Sequence, residues 1–247
     1  MSAQWESFAA ALLGPKQQAL DIARRHLDRA TASGAPGTKS WAELAWALAL
    51  TKHGDPTQAL TVERTALTHQ LKAGNLWGSV LAVHFRSWSL AQLITDLIAA
   101  GCTDRARLKA LAEETAHLTG GAKTLRMSMG AEIRNMGPFG DETARAIDVA
   151  RDVLGPEAYS LAERQGLLLR PESNEVQRLA LGTLSLRKMA VDHPARTAIP
   201  SHWDELSAAE QEVATLAAAG WTNTAIASRR ETPPGGSTRR SPQFSRS

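Results

Sequence analysis

Glycine and proline interrupt this chain roughly every 16–25 residues, and the segments between them are rich in alanine and leucine. That punctuation constrains the fold more than any other feature. Each segment is too long for an ordinary strand and about right for a helix. Aromatic residues make up only 5% of the chain, and valine and isoleucine are sparse, whereas strands favour β-branched and aromatic side chains. The class expected is all-α. Helices of similar length separated by tight breaks suggest hairpins stacked into a solenoid, each burying its apolar face against the next.

The periodicity predicts helices over residues 3–12 and 15–32, then a loop from Ser33 to Lys39. Ser40 is expected to cap a helix over 41–52, with Leu44, Ala45 and Leu48 on one face. Gly54-Asp55-Pro56 reads as a turn whose proline opens the next helix, which runs to Lys72 with Ala59, Val62, Ala66 and Leu67 facing inward. The unit from Ser40 to Ala73 is tetratricopeptide-like in length. Further helices are expected over 76–100, 104–118, 122–136, 141–154, 156–168 and 175–191, with Gly120-Gly121 taken as a break. The resulting division is a helical-repeat region over 1–192 and a linker over 193–201 carrying Pro194 and Pro200. A small helical unit follows over 202–230, then a tail over 231–247 expected to be disordered.

The formal net charge of +3 is unevenly spread. Arg229, Arg230, Arg239, Arg240 and Arg246 face one acid, Glu231, so the last segment is basic and the rest of the chain is close to neutral. A whole-protein field that attracts nucleic acid is therefore not expected. Cys102 is the single cysteine, which excludes an internal disulfide and suits a reducing, cytoplasmic setting. No basic, apolar leader is legible at Met1-Ser-Ala-Gln-Trp-Glu, and no apolar run is long enough to span a bilayer, so no membrane partner is expected.

Several residue sets bear on chemistry. Glu114 and His117 form half of a di-iron pattern, without the second Glu-x-x-His that this chemistry requires. The histidines at 26, 53, 69, 84, 117, 193 and 202 are scattered, so no metal is expected. Gly34-Ala-Pro-Gly37-Thr38-Lys39-Ser40 is unlike a phosphate loop, which needs glycine directly before the lysine, so no nucleotide cofactor is expected. Cys102 lacks a neighbouring base in sequence. Trp41, Trp46, Trp77 and Trp88 fit either interhelical packing or a ligand groove. No catalytic constellation emerges, and the expectation is a non-enzyme.

The most specific signal runs from Trp203 to Arg230. Ser207 and Glu210 stand at capping-box spacing, and Ala209, Val213, Leu216 and Ala217 line one face. Gly220 suits the end of that helix, and Thr222 can cap a second one bearing Ala225, Ile226 and Arg229. The segment resembles the LuxR-type helix-turn-helix, with its Leu-Ser-x-x-Glu-x-x-Val start, Ala-Ala-Gly turn and Thr-Asn-x-x-Ile-Ala second helix. Upstream, Gly155-Pro-Glu-Ala-Tyr159 and Leu179-Ala-Leu-Gly-Thr-Leu184 are similar to the helical region of large actinobacterial LuxR-type regulators, where an ATP-binding domain precedes that region. The resemblance implies DNA-binding regulation of transcription, with Thr222, Asn223, Arg229 and Arg230 at the DNA. It also implies a third helix that reads base edges in the major groove. No such helix is legible after Arg230, so weak, non-specific DNA binding is expected. The alternative is a helical-repeat module that binds a protein partner without DNA.

The change of composition at Glu231 is abrupt. It suggests a shift of reading frame just after Arg230. Read one base back from Gly236, with suitably chosen third bases, the tail permits Val-Asp-x-x-Val-Ala-Ala-Ile-Leu, apolar along one helical face.

Overall fold

A computed structural model describes residues 3–130 and 137–186, together with Ser207, Ala209, Glu210 and Val213. The chain divides into two compact units, Met1–Lys188 and Met189–Ser247. In the first, the described residues form α1 (Ala3–Leu13), α2 (Lys16–Ala32), α3 (Pro36–His53), α4 (Pro56–Lys72), α5 (Leu76–Ala99), α6 (Arg105–Met129), α7 (Pro138–Leu154), α8 (Pro156–Leu167), a 3-10 turn (Pro171–Ser173) and α9 (Glu175–Ala180). No strand occurs among them. The fold is all-α and built from stacked helical hairpins.

The odd-numbered helices form a row, α1 on α3, α3 on α5 and α5 on α7, while α2 packs on α1 and α3, and α4 on α3 and α5. Sequence explains which helices lie inside and which outside. In α3, ten residues are buried, including Ala42, Leu44, Ala45 and Ala47–Leu50, so it is apolar almost all round. By contrast α2 buries only Ala19, Ala23, His26 and Ala30, a narrow stripe at helical spacing that fits an outer helix. The core knits Phe8, Phe85, Trp88 and Phe139 into one aromatic cluster, with centroids 5.9 Å apart for Phe8–Phe85 and 5.0 Å for Phe85–Trp88. Burying these rings supplies much of the apolar driving force in a chain otherwise cored by alanine and leucine.

The junctions follow local chemistry. Asp55, Asn75 and Asp104 cap α4, α5 and α6, each side chain accepting a backbone N–H, from Thr57 at 2.8 Å, Gly78 at 3.0 Å and Arg107 at 3.0 Å. Pro36, Pro56, Pro138 and Pro156 each open a helix, where the missing N–H costs nothing. Gly155 turns the chain from α7 into α8 at φ 82°, a backbone conformation that favours glycine.

Three sequence expectations are corrected. First, α3 begins at Pro36, not Trp41, and Ser40 lies inside it, its hydroxyl donating to Gly37 O at 2.9 Å. The loop shrinks to Ser33–Ala35, because proline at the first helical position is a stronger start than serine four residues on. Second, Gly120-Gly121 does not end a helix; α6 runs through it from Arg105 to Met129, in place of the separate helices over 104–118 and 122–136, of which residues 131–136 lie outside the described set. Third, α9 stops at Ala180, ahead of Gly182 at φ 73°, and not at Val191.

The glycine pair has a packing role. A Cβ on Gly120 would stand 2.1 Å from Glu163 O, and one on Gly166 would stand 2.1 Å from His117 O. The backbones of α6 and α8 therefore cross in contact, and only glycine fits at both positions. Gly121 lies beneath Val176 of α9, whose side chain would meet a Cβ at 2.7 Å.

Candidate functional site

Thr222, Asn223, Arg229 and Arg230 lie outside the described residues, as do the linker 193–201 and the tail 231–247. The start of the motif is described. The Ser207 backbone N–H donates to Glu210 Oε2 at 2.8 Å and its hydroxyl donates to the same oxygen at 2.6 Å. The Glu210 N–H donates back to the Ser207 hydroxyl at 3.4 Å. This reciprocal pair is the capping box expected from spacing. The Ser207 hydroxyl, then its N–H, hold the Glu210 carboxyl below its ordinary range. Ala209 and Val213, four apart, are both half-buried, while Glu210 is exposed.

The helical unit offers a cleft of about 590 Å³ on its outer side, between α2 and α4 and floored by α3. Its walls and floor include Arg24, Asp28, Lys39, Glu43, Trp46 and Thr65. The Arg24 guanidinium sits 5.8 Å from the Trp46 ring centroid and 3.1 Å from Asp28. Glu43 is buried and takes a hydrogen bond from His69 Nδ1 at 2.7 Å, with Lys39 at 3.9 Å. The acids are thus already paired. What the cleft presents is the Arg24–Trp46 stack, threonine hydroxyls and the Lys39 ammonium beside Glu43, a set without a nucleophile and its base. Lys39 also borders a second cleft of about 490 Å³ with His69 and Lys72.

The tryptophans do not converge. Trp88 is fully buried and donates from Nε1 to the Thr143 hydroxyl at 3.2 Å, whereas Trp41 and Trp77 are half-buried against the core. Only Trp46 reaches the cleft. Glu114 and His117 serve different partners: Arg86 donates twice to Glu114 Oε1, at 3.0 and 2.8 Å, and His117 pairs with Gln165 at 2.9 Å. Among the described residues no group of three metal-ligating side chains converges. Cys102 is half-buried in the turn after α5, and Pro36–Ser40 of the glycine-containing stretch are helical.

Sequence reading missed a buried polar chain. Ser89 on α5 donates to Glu63 Oε1 at 2.5 Å, and its hydroxyl lies 2.6 Å from that of Thr51 on α3. The signal was available: Glu63 falls four residues after Ala59 and three before Ala66, in the middle of the inward stripe of α4. Val62, expected there, is only half-buried. Burial pushes the Glu63 carboxyl up to about 7, against the opposing pull of the Ser89 hydroxyl, Arg86 and Thr51.

No family model, curated protein or solved structure matches the chain.

Proposed function

We propose that this chain belongs to a LuxR-type transcriptional regulator, its stacked hairpins forming the helical arm that precedes the DNA-binding motif. The observation that carries this reading is the Trp203–Arg230 pattern, whose first helix starts with the Ser207–Glu210 capping box at the position the pattern requires. In this reading Thr222 and Asn223 approach phosphates at the start of the second helix, and Arg229 and Arg230 add charge at its end. Phosphate contacts position such a domain, and base contacts select the site. No reading helix is legible after Arg230, so the binding is weak, indifferent to sequence and carried by arginine. The cytoplasmic assignment belongs to the same proposal; among the described residues no helix is long and apolar enough to cross a membrane.

The test is DNA affinity of the whole chain as a function of salt. Binding at low salt that fades steeply as counterions compete is the expected result. Absence of binding even at low salt sinks the regulator reading, and tight, sequence-dependent binding at physiological salt sinks the claim of lost specificity. Sequencing the gene through and beyond codon 231 tests the frameshift: a stop in the alternate frame before codon 247, or no amphipathic helix there, excludes it.

A second reading, a helical-repeat module that binds a protein partner, is favoured by the cleft between α2 and α4. Stacked hairpins offer extended surfaces for such partners. Partner capture that survives deletion of residues 203–247 places the function in the helices. Capture abolished by that deletion counts against it.

A further inference from the structure

The strongest unassigned feature is the acid at the junction of α3, α4 and α5. Glu63, Thr51 and Ser89 are each at most 1% exposed. The Glu63 carboxyl accepts a hydrogen bond from Ser89, the Thr51 hydroxyl beside it also favours the charged form, and Oε2 has no hydrogen-bond partner among the described residues. The neighbouring cation, Arg86 on α5, makes its fork to Glu114 on α6 through Nε and Nη2. It forms no ion pair with Glu63, although its buried Nη1 has no hydrogen bond among the described residues and its charge partly offsets the effect of burial on that carboxyl. Other charged groups on the packed helices are also engaged: on α3, Glu43 pairs with His69 of α4, and Lys52 pairs with Glu142 of α7. The remaining titratable group buried on α5 is His84, and Arg64 on α4 faces solvent. A carboxylate held only by hydroxyls and without an ion pair is costly in such a place, whereas a neutral carboxylic acid is tolerated.

We infer that Glu63 is a proton-operated latch: uncharged, it lets α4 seat on α5, and loss of its proton loosens that junction. The device sits beside the outer cleft, whose one wall is α4, so it couples proton concentration to the shape of that surface. The inference stands on the burial and partnering of Glu63 and does not depend on the DNA-binding reading.

The direction follows from linkage. A carboxyl raised in the folded state contributes stability that is complete below its unfolded value and is lost as pH climbs through the folded one. Ionisation then favours the conformation in which water reaches Glu63. The experiment is amide hydrogen exchange over α4 and α5 in the whole chain, corrected for the intrinsic pH dependence of exchange. Between about pH 6 and about pH 8.5, opening of α4 should rise roughly tenfold in the wild type and stay flat in Glu63→Gln. An equal rise in both proteins, or none in the wild type, overturns the latch. Should Glu63→Gln fail to fold, infrared titration decides. The wild type must show a protonated carboxyl band that disappears near neutrality, and Ser89→Ala, which removes its hydrogen bond, must shift that band. A spectrum without such a band, or a band indifferent to Ser89→Ala, overturns the proposal equally.

Discussion

The turn between α3 and α4 and the crossing of α6 with α8 both rest on glycine, and they use it in opposite ways. At Gly54 the helix ends: Asp55 follows and caps the next helix through Thr57 N, and Pro56 opens it. At Gly120-Gly121 the helix continues, because the next residues, Ala122 and Lys123, provide neither a cap nor a proline. Loss of a side chain alone does not stop a helix; it costs about 1 kcal/mol relative to alanine. What stops it is an alternative set of hydrogen bonds for the freed backbone groups. Where no such set exists, the glycine serves packing, and the return on its low propensity is a close backbone crossing.

The largest effect that this contrast predicts is at Gly166. In an ordinary exposed helix, glycine to alanine is stabilising. Here the new methyl would stand 2.1 Å from His117 O, and a backbone wall cannot swing aside as a side chain does. Gly166→Ala is expected to cost about 3 kcal/mol through forced separation of α6 and α8. Chemical denaturation of both proteins measures it. A variant as stable as the wild type would show that the two helices do not cross in contact.

How much of this was legible in sequence follows the same line. Breaks written with proline were readable, since Pro56 and Pro156 open helices where expected, and Pro138 opens α7 three residues ahead of the expected start at Asp141. Pro36 was misread because Ser40 offered a competing cap, and the preceding loop was rich enough in glycine to hide a helical start. Gly120 and Gly166 were opaque for a different reason. Their roles depend on each other's helix, 46 residues apart in sequence, and periodicity records only which side of one helix is apolar. The buried acid shows the same limit: Glu63 lies within the apolar stripe of α4, but a glutamate is ordinarily exposed, and only the packing of α3 and α5 against α4 reveals its burial. The DNA contacts proposed for Thr222, Asn223, Arg229 and Arg230 rest on sequence resemblance, and those residues lie outside the described set.

A smaller effect is expected at the other pole of the comparison. Asp55 is exposed and its role is local: one hydrogen bond to Thr57 N at 2.8 Å. Replacing it with alanine leaves Pro56 in place, so α4 still starts there, with one orphan N–H. Asp55→Ala should cost about 1 kcal/mol, the usual value for a lost cap. The fall in denaturation midpoint should therefore be about a third of that for Gly166→Ala. If the two losses are equal, the distinction between capping and crossing glycine junctions fails.

The smallest effect concerns the cap of the second unit. At α4 the helix start is held by a proline and a packed inner face, so its cap is one support among several. Around Ser207 the described contacts are the reciprocal bonds with Glu210, and both side chains face solvent. Solvent screening keeps such a cap weak in global stability, so its signature belongs in the titration of Glu210. The Ser207 hydroxyl is the main cause of the lowered Glu210 carboxyl and the Ser207 N–H the second. A carboxyl lowered in the folded state contributes stability above its unfolded value, and that contribution is lost as pH falls through the folded value. Ser207→Ala removes the hydroxyl and keeps the N–H, so the Glu210 midpoint should move part of the way back toward the ordinary range. The start of the helix should then fray at a higher pH during acid titration than it does in the wild type. Carbon-detected NMR titration of the Glu210 side chain in the whole chain reads both proteins directly. An unchanged midpoint would mean that the hydroxyl does not hold Glu210 in solution, and the motif would lose a described local contact that supports it.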